Sequence, residues 1–162
     1  MSSASSKKVT VERFDREAVH GFANPISFGT GDELELLSVA GAVQLLRWAE
    51  IRMVRFVREF QSAKTAERQA FLTRPKSSGL WVRMQFRDGD FLEGVMPNNL
   101  LLAEPAGFTV TPPDTTGNTQ KVYVPKSALL GMQVLGVVGG PLGKAKKREA
   151  GPKTQIGLFE GS

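Results

Sequence analysis

Cysteine is absent from this chain of 162 residues, and histidine occurs once. Without cysteine there is no disulfide framework, thiol nucleophile or zinc–thiolate site. The lone His20 stands beside Gly21 with no second His, so a metal site is not expected there. Long apolar runs are missing too, and none nears the roughly 18 residues that cross a bilayer. Residues 1–8 are small and polar, without the apolar stretch of a secretory leader. These absences lead to an expectation of a cytoplasmic protein with no metal, no cofactor and no membrane partner.

What the chain does have is an internal repeat. Val9, Val11, Asp15, Glu17, Val19, Gly21 and Phe22 align without gaps on Val82, Met84, Asp88, Asp90, Leu92, Gly94 and Val95. Further on, the stretch Val43 to Ile51 aligns on Lys121 to Leu129, with about five extra residues inserted before it in the second copy. A duplicated unit of this size implies two small domains rather than one large core.

Short strands with tight turns dominate both copies. Residues 9–14 and 18–23 read as a hairpin around Asp15-Arg16. In the second copy Val82, Met84 and Phe86 alternate with Arg83, Gln85 and Arg87, and Asp88-Gly89 is a strong hairpin signal. Strands are expected at 91–95, 108–111, 120–124 and 132–138, with one helical turn at 125–129. Five short strands with a tight turn before the last fit a small closed or half-closed barrel, which also hides sheet edges. Between the copies, Ser62 to Thr73 lacks Gly and Pro and predicts a short helix that ends at Pro75, with Phe71-Leu72 as its apolar end. The expected fold is therefore all-β with one short linker helix. The first barrel covers 8–60, the linker 61–79 and the second barrel 80–138. Residues 1–7 and the basic tail 139–162 are expected to be disordered.

The run Val82-Arg83-Met84-Gln85-Phe86-Arg87-Asp88-Gly89-Asp90-Phe91-Leu92-Glu93-Gly94 resembles the first half of the Sm-like fold. Val122 to Leu129 is similar to the strand, turn, strand ending of Sm-like and SH3-like barrels. The whole resembles an uncharacterised bacterial family of tandem small barrels. The resemblance implies five-stranded Sm-like or SH3-like barrels. It also implies RNA bound near an Asn-bearing loop, here Pro97-Asn98-Asn99-Leu100, and near a basic motif in the last hairpin, where Pro125-Lys126-Ser127 offers one base. The first copy departs from that pattern, with Asn24-Pro25 and Arg47-Trp48-Ala49 at those places.

Charge is uneven. Residues 47–87 hold ten Lys or Arg against three acids, and the tail from Pro141 holds five bases against two acids, within a net charge of +5. Such asymmetry fits a polyanion partner, or else two lobes whose opposite charges face each other or simply stay solvated. On the first reading the RNA-binding residues are Arg52, Arg55, Arg58, Arg83 and Arg87, joined by Lys144, Lys146, Lys147 and Arg148. Strand alternation would put Arg52 and Arg58 on one face and Arg55 on the other. The alternative is a protein-interaction or self-association module working through barrel edges.

Other constellations are weaker. Arg83 and Arg87 match the Arg-x-x-x-Arg pair of cyclic-dinucleotide-binding PilZ domains, but Asp114-Thr115-Thr116-Gly117 follows at the wrong spacing. Val138 to Lys144 lacks the Ser or Thr that a phosphate loop places after its Lys. Asp88 and Asp90 are explained by their turn, with no nucleophile beside them. Trp48, Trp81 and Tyr123 read as core or lobe-interface residues, or as the lining of a ligand groove. The chain is expected to be no enzyme.

Overall fold

The computed structural model describes residues 6–60, 68–99, 106–114 and 117–139. These residues are nearly all β, with ten strands and three single 3-10 turns. The first repeat holds β1 (Lys7–Arg13), β2 (Val19–Ala23), β3 (Glu33–Ser38), β4 (Val43–Arg47) and β5 (Ile51–Val57). The second holds β6 (Gly79–Phe86), β7 (Phe91–Met96), β8 (Gly107–Val110), β9 (Thr119–Pro125) and β10 (Leu129–Val138). A 3-10 turn precedes the last strand in each, at Trp48–Glu50 and Lys126–Ala128.

The duplication extends to the register. Val9 pairs with Gly21, and its counterpart Val82 pairs with Gly94. Val11 faces Val19 as Met84 faces Leu92. The two glycines serve the same purpose, close approach of the third strand. A Cβ on Gly21 would lie 2.6 Å from Leu37 O, and one on Gly94 would lie 2.8 Å from Val110 Cγ2. Gly89 takes φ +92 in the β6–β7 turn, and the Asp90 amide donates to Asp88 Oδ1 there. β3 is a strand that the sequence reading did not single out. Its alternation is plain once seen: Leu34 and Leu36 are buried, while Glu33, Glu35 and Leu37 are exposed.

The strands form two antiparallel sheets, and neither closes on itself. Seven strands run in the order β4-β3-β2-β1-β5-β9-β8, and three in the order β10-β6-β7. Val95 and Thr111 bridge the two sheets, each amide donating to the other's carbonyl at 3.0 and 2.9 Å. The larger sheet thus crosses from one repeat to the other through β5 and β9, in the register Val54↔Tyr123, Arg55↔Val122 and Phe56↔Lys121.

Both faces of that crossing are covered. One core gathers Val9, Val11, Leu34, Leu36, Trp48 and Val54, and Tyr123 enters it from β9. The other gathers Val82, Met84, Phe86, Val110, Val122 and Val124, and Met53 enters it from β5. The exchange of Met53 and Tyr123 ties the two repeats into one packed unit. Phe28 meets Tyr123 and Trp48 at 5.0 and 5.5 Å between ring centroids, so these aromatics are core rather than groove.

The linker corrects one expectation. Residues 68–73, the described part of the expected helix, are not helical; residues 61–67 lie outside the described residues. The backbone of 69–71 is held instead against β7. The Glu93 amide donates to Gln69 O at 2.7 Å, and the Phe71 amide donates to Glu93 Oε1 at 3.0 Å. Phe71 then meets Trp81 edge to face, while Leu72 is exposed. A helix of two or three turns is marginal alone, and these tertiary bonds outcompete it.

Glu93 is the anchor of this clamp and is only 4% exposed. Burial pushes its carboxyl pKa up. The Phe71 amide, the Arg83 guanidinium and Trp81 Nε1–H more than reverse this, so the group sits below its ordinary value. A depressed folded-state pKa gives stability that is present above the unfolded value and lost as pH falls through the folded one. Glu93→Gln is expected to lower stability at neutral pH by about 1.5–3 kcal/mol. It should also flatten the acid limb below about pH 4, read by urea melts at several pH values. Overpacking at the two glycines is expected to cost about 1–3 kcal/mol each. Gly21→Ala should cost more than Gly94→Ala in urea melts, because its nearest obstacle is backbone rather than side chain.

Candidate interaction surfaces

Arg52 and Arg55 of the basic stretch are turned inward onto acids of the chain itself, and the exposed Arg58, Arg83 and Arg87 contact its acids or carbonyls. β5 carries an extra residue against β1: Met53 faces Glu12, Ile51 faces Arg13, and Arg52 stands between as a bulge. The bulge resets the alternation. Arg52 and Arg55 therefore converge on one carboxylate, Glu12, at 3.7 and 2.5 Å, rather than pointing to opposite faces. Arg52 also forms a close ion pair with Asp90, and its Nε lies 3.8 Å from Asp88 Oδ2. The acids of the second repeat's hairpin thus neutralise a base of the first. Arg58 lies past the end of β5 and reaches Gly117 O at 3.4 Å.

Asp90 is held from several sides. Burial raises its pKa. Gln69 Nε2 at 2.6 Å, the Phe91 amide at 2.9 Å and Arg52 together outweigh this and leave the carboxyl below its usual range. Arg83 donates to Glu93 Oε2 at 2.8 Å and lies over the Phe91 ring. Arg87 donates to Ala49 O and Ser127 O, at equivalent places in the two 3-10 turns, and covers the Phe14 ring. Lys144, Lys146, Lys147 and Arg148 lie outside the described residues. His20 shares a hydrogen bond with Thr10 Oγ1 at 2.9 Å through Nδ1. Among the described residues no group of three or more His, Asp or Glu is placed to hold a metal ion, and no helix is long and apolar enough to cross a membrane.

Edges were the expected surface of the protein-interaction alternative, and the strand order shows which strands they are. Through the Val95–Thr111 bridge the ten strands run as one series, ended by β4 at one side and β10 at the other. No strand among the described residues pairs with the outer side of either. Nine large apolar side chains are exposed among the described residues, and seven belong to these two ends. Leu37 lies on β3, Val39 in the turn that follows it, Val43 and Leu45 on β4, and Leu130, Val134 and Val137 on β10. Such concentration marks an interaction surface better than scattered exposure does. The sequence signal was there in Val43-Gln44-Leu45-Leu46, but only the topology shows that this strand is an edge.

Because Arg52 is mostly buried among three carboxylates, Arg52→Gln is expected to destabilise the fold by about 1–3 kcal/mol. Arg58→Gln, on an exposed side chain, should stay within about 0.5 kcal/mol. Equal urea midpoints for the two variants would show that the Arg52 cluster contributes nothing to holding the repeats together.

Neither a curated protein nor a solved structure matches the chain. A family model does match, over residues 5–136, which takes in both repeats and all but the last two residues of β10. The chain belongs to that family, DUF6982, a family of unknown function.

Proposed function

We propose that this chain is a non-enzymatic assembly module. On this reading each repeat is a small barrel of the Sm-like or SH3-like kind, and the pair joins protein partners through open sheet edges. The observation that carries it is the placement of exposed apolar side chains, seven of nine on or beside β4 and β10. Edge strands of soluble proteins are ordinarily blunted by lysine, proline or a covering element. β4 (Val43–Arg47) has one base, at its last position, and β10 (Leu129–Val138) has no charged residue.

The nucleic-acid reading has less support from the same side chains. A phosphate-binding arginine releases counterions when it meets a phosphate. Arg52, Arg55 and Arg83 already face carboxylates of the chain, and Arg87 faces its carbonyls. Binding a polyanion there would first require breaking those contacts.

The test is the size of the tagged full-length chain in a cell lysate treated with nuclease and run in about 1 M salt, where exposed charges are screened within about 3 Å. The chain is expected to elute well above monomer size. Val43→Lys with Leu45→Lys should move it to monomer size, because two charges on an edge oppose strand addition. A monomer before any substitution would overturn the proposal. So would a large species that nuclease or salt dissolves, and that result would assign the function to a polyanion.

A further inference from the structure

We propose that the occupant of these edges is a second copy of this chain: β10 of one molecule adds antiparallel to β4 of the next, in the register that β5 and β9 use inside the molecule. The inference rests on the edge reading above and names its partner.

The chain contains its own precedent. β5 is the last strand of the first repeat, β9 is the fourth strand of the second, and the two pair over Val54↔Tyr123, Arg55↔Val122 and Phe56↔Lys121. The open edges are the same two kinds of strand. β10 is the last strand of the second repeat and β4 is the fourth strand of the first. The equivalence holds residue by residue. Val54 lies opposite Val11 as Met132 lies opposite Met84, and Val11 and Met84 are themselves equivalent. Even the bulge recurs, with Leu130 between Leu129 and Gly131 where Arg52 stands in β5. Leu45 precedes its 3-10 turn by the same three positions as Tyr123.

Carrying the internal register across gives Met132 opposite Leu45, Gln133 opposite Gln44, and Val134 opposite Val43. The chemistry of these pairs fits. Val134 and Val43 are 58% and 61% exposed, and each would cover the other. Leu45 would take the place that Tyr123 fills in the internal contact, beside the half-buried Met132. The two glutamine amides can bond to one another. The ion pairs are not carried over. Leu130 replaces Arg52, and the counterparts of Asp88 and Asp90 are Asp15 and Glu17. The contact between copies is therefore apolar where the internal one is charged, and it should resist salt. Each molecule has one edge of each kind, so the contact is head to tail and grows past a dimer.

The chain has no cysteine, so introduced pairs report this contact cleanly. Purified full-length protein carrying Val43→Cys and Val134→Cys is oxidised and run on a non-reducing gel. The expected result is a ladder of dimers, trimers and higher species. Opposed residues have Cβ atoms about 5 Å apart, near disulfide range. A Val43→Cys, Val137→Cys control, three residues out of register by about 10 Å, should cross-link several-fold less. Light scattering on the unaltered protein should give a multiple of 17.6 kDa, in low and high salt, and Val134→Lys should reduce it. Equal cross-linking of the control, or efficient dimers from Val43→Cys alone, would overturn the register and the head-to-tail sense. A monomeric purified protein that gives no ladder would overturn self-pairing altogether. If the lysate still showed a nuclease-resistant, edge-dependent complex, the edge reading would survive with a different partner. If it did not, both would fall.

Discussion

The pairing of β5 with β9 is the constraint on which the remaining structure depends. Each repeat spans roughly 50 to 60 residues, a size at which a hydrophobic core is barely self-sufficient. Neither repeat completes a core alone. Met53 leaves the first repeat to pack among Val82, Met84 and Val122, and Tyr123 leaves the second to pack among Phe28, Trp48 and Val54. The hydrogen-bonded ladder sets the register, and the register decides which side chain crosses. A slip of one residue would turn Tyr123 away from its aromatic pocket and drive Val122 or Val124 into it.

Charge follows from that geometry rather than leading it. The excess of bases between residues 47 and 87 looks, in the linear sequence, like a surface for a polyanion. In the fold Arg52 and Arg55 meet Glu12 and the acids of the β6–β7 hairpin, which lie on strands and turns brought alongside by the same ladder. The buried acid Glu93 extends the arrangement to the other side of the hairpin, where it holds the backbone of 69–71 and orients Trp81 and Arg83. The charges of Arg52, Arg55 and Arg83 are therefore matched within the fold, whereas the apolar side chains of the edges stay exposed.

Much of this was legible in the sequence, for reasons that can be named. The duplication, the Asp88-Gly89 hairpin, the 3-10 turn before the last strand and the alternation of β6 are local signals, each confined to a few residues. The misplaced features are those that depend on distant partners. Arg52 and Arg55 fall together because a bulge against β1 breaks the two-residue period, and no propensity at Arg52 announces it. The helix expected within residues 62–73 gives way, over 68–73, to hydrogen bonds offered by Glu93 from another strand. The place of Glu93 was one residue out of reach. A two-residue Asp88-Gly89 loop would set Gly94 across from Arg83, whereas the observed loop is centred on Asp88 and sets Glu93 there. Association through sheet edges was one of two sequence expectations, but which strands are the edges was not legible, since being an edge is a property of the whole strand order.

The crossing of the repeats also has a consequence during synthesis. β5 is complete when the ribosome has made residue 57, yet its partner β9 begins only at residue 119. Through that interval the nascent first repeat presents β5 as a bare strand edge, with a cavity where Tyr123 will sit. Synthesis at about 5–20 residues per second makes the interval last seconds. Neighbouring chains on one polysome would expose β4 and β5 together, the two kinds of strand that pair in the finished molecule. Folding thus competes with premature joining between half-made copies, and the speed with which the second repeat arrives becomes part of what keeps the protein correctly assembled.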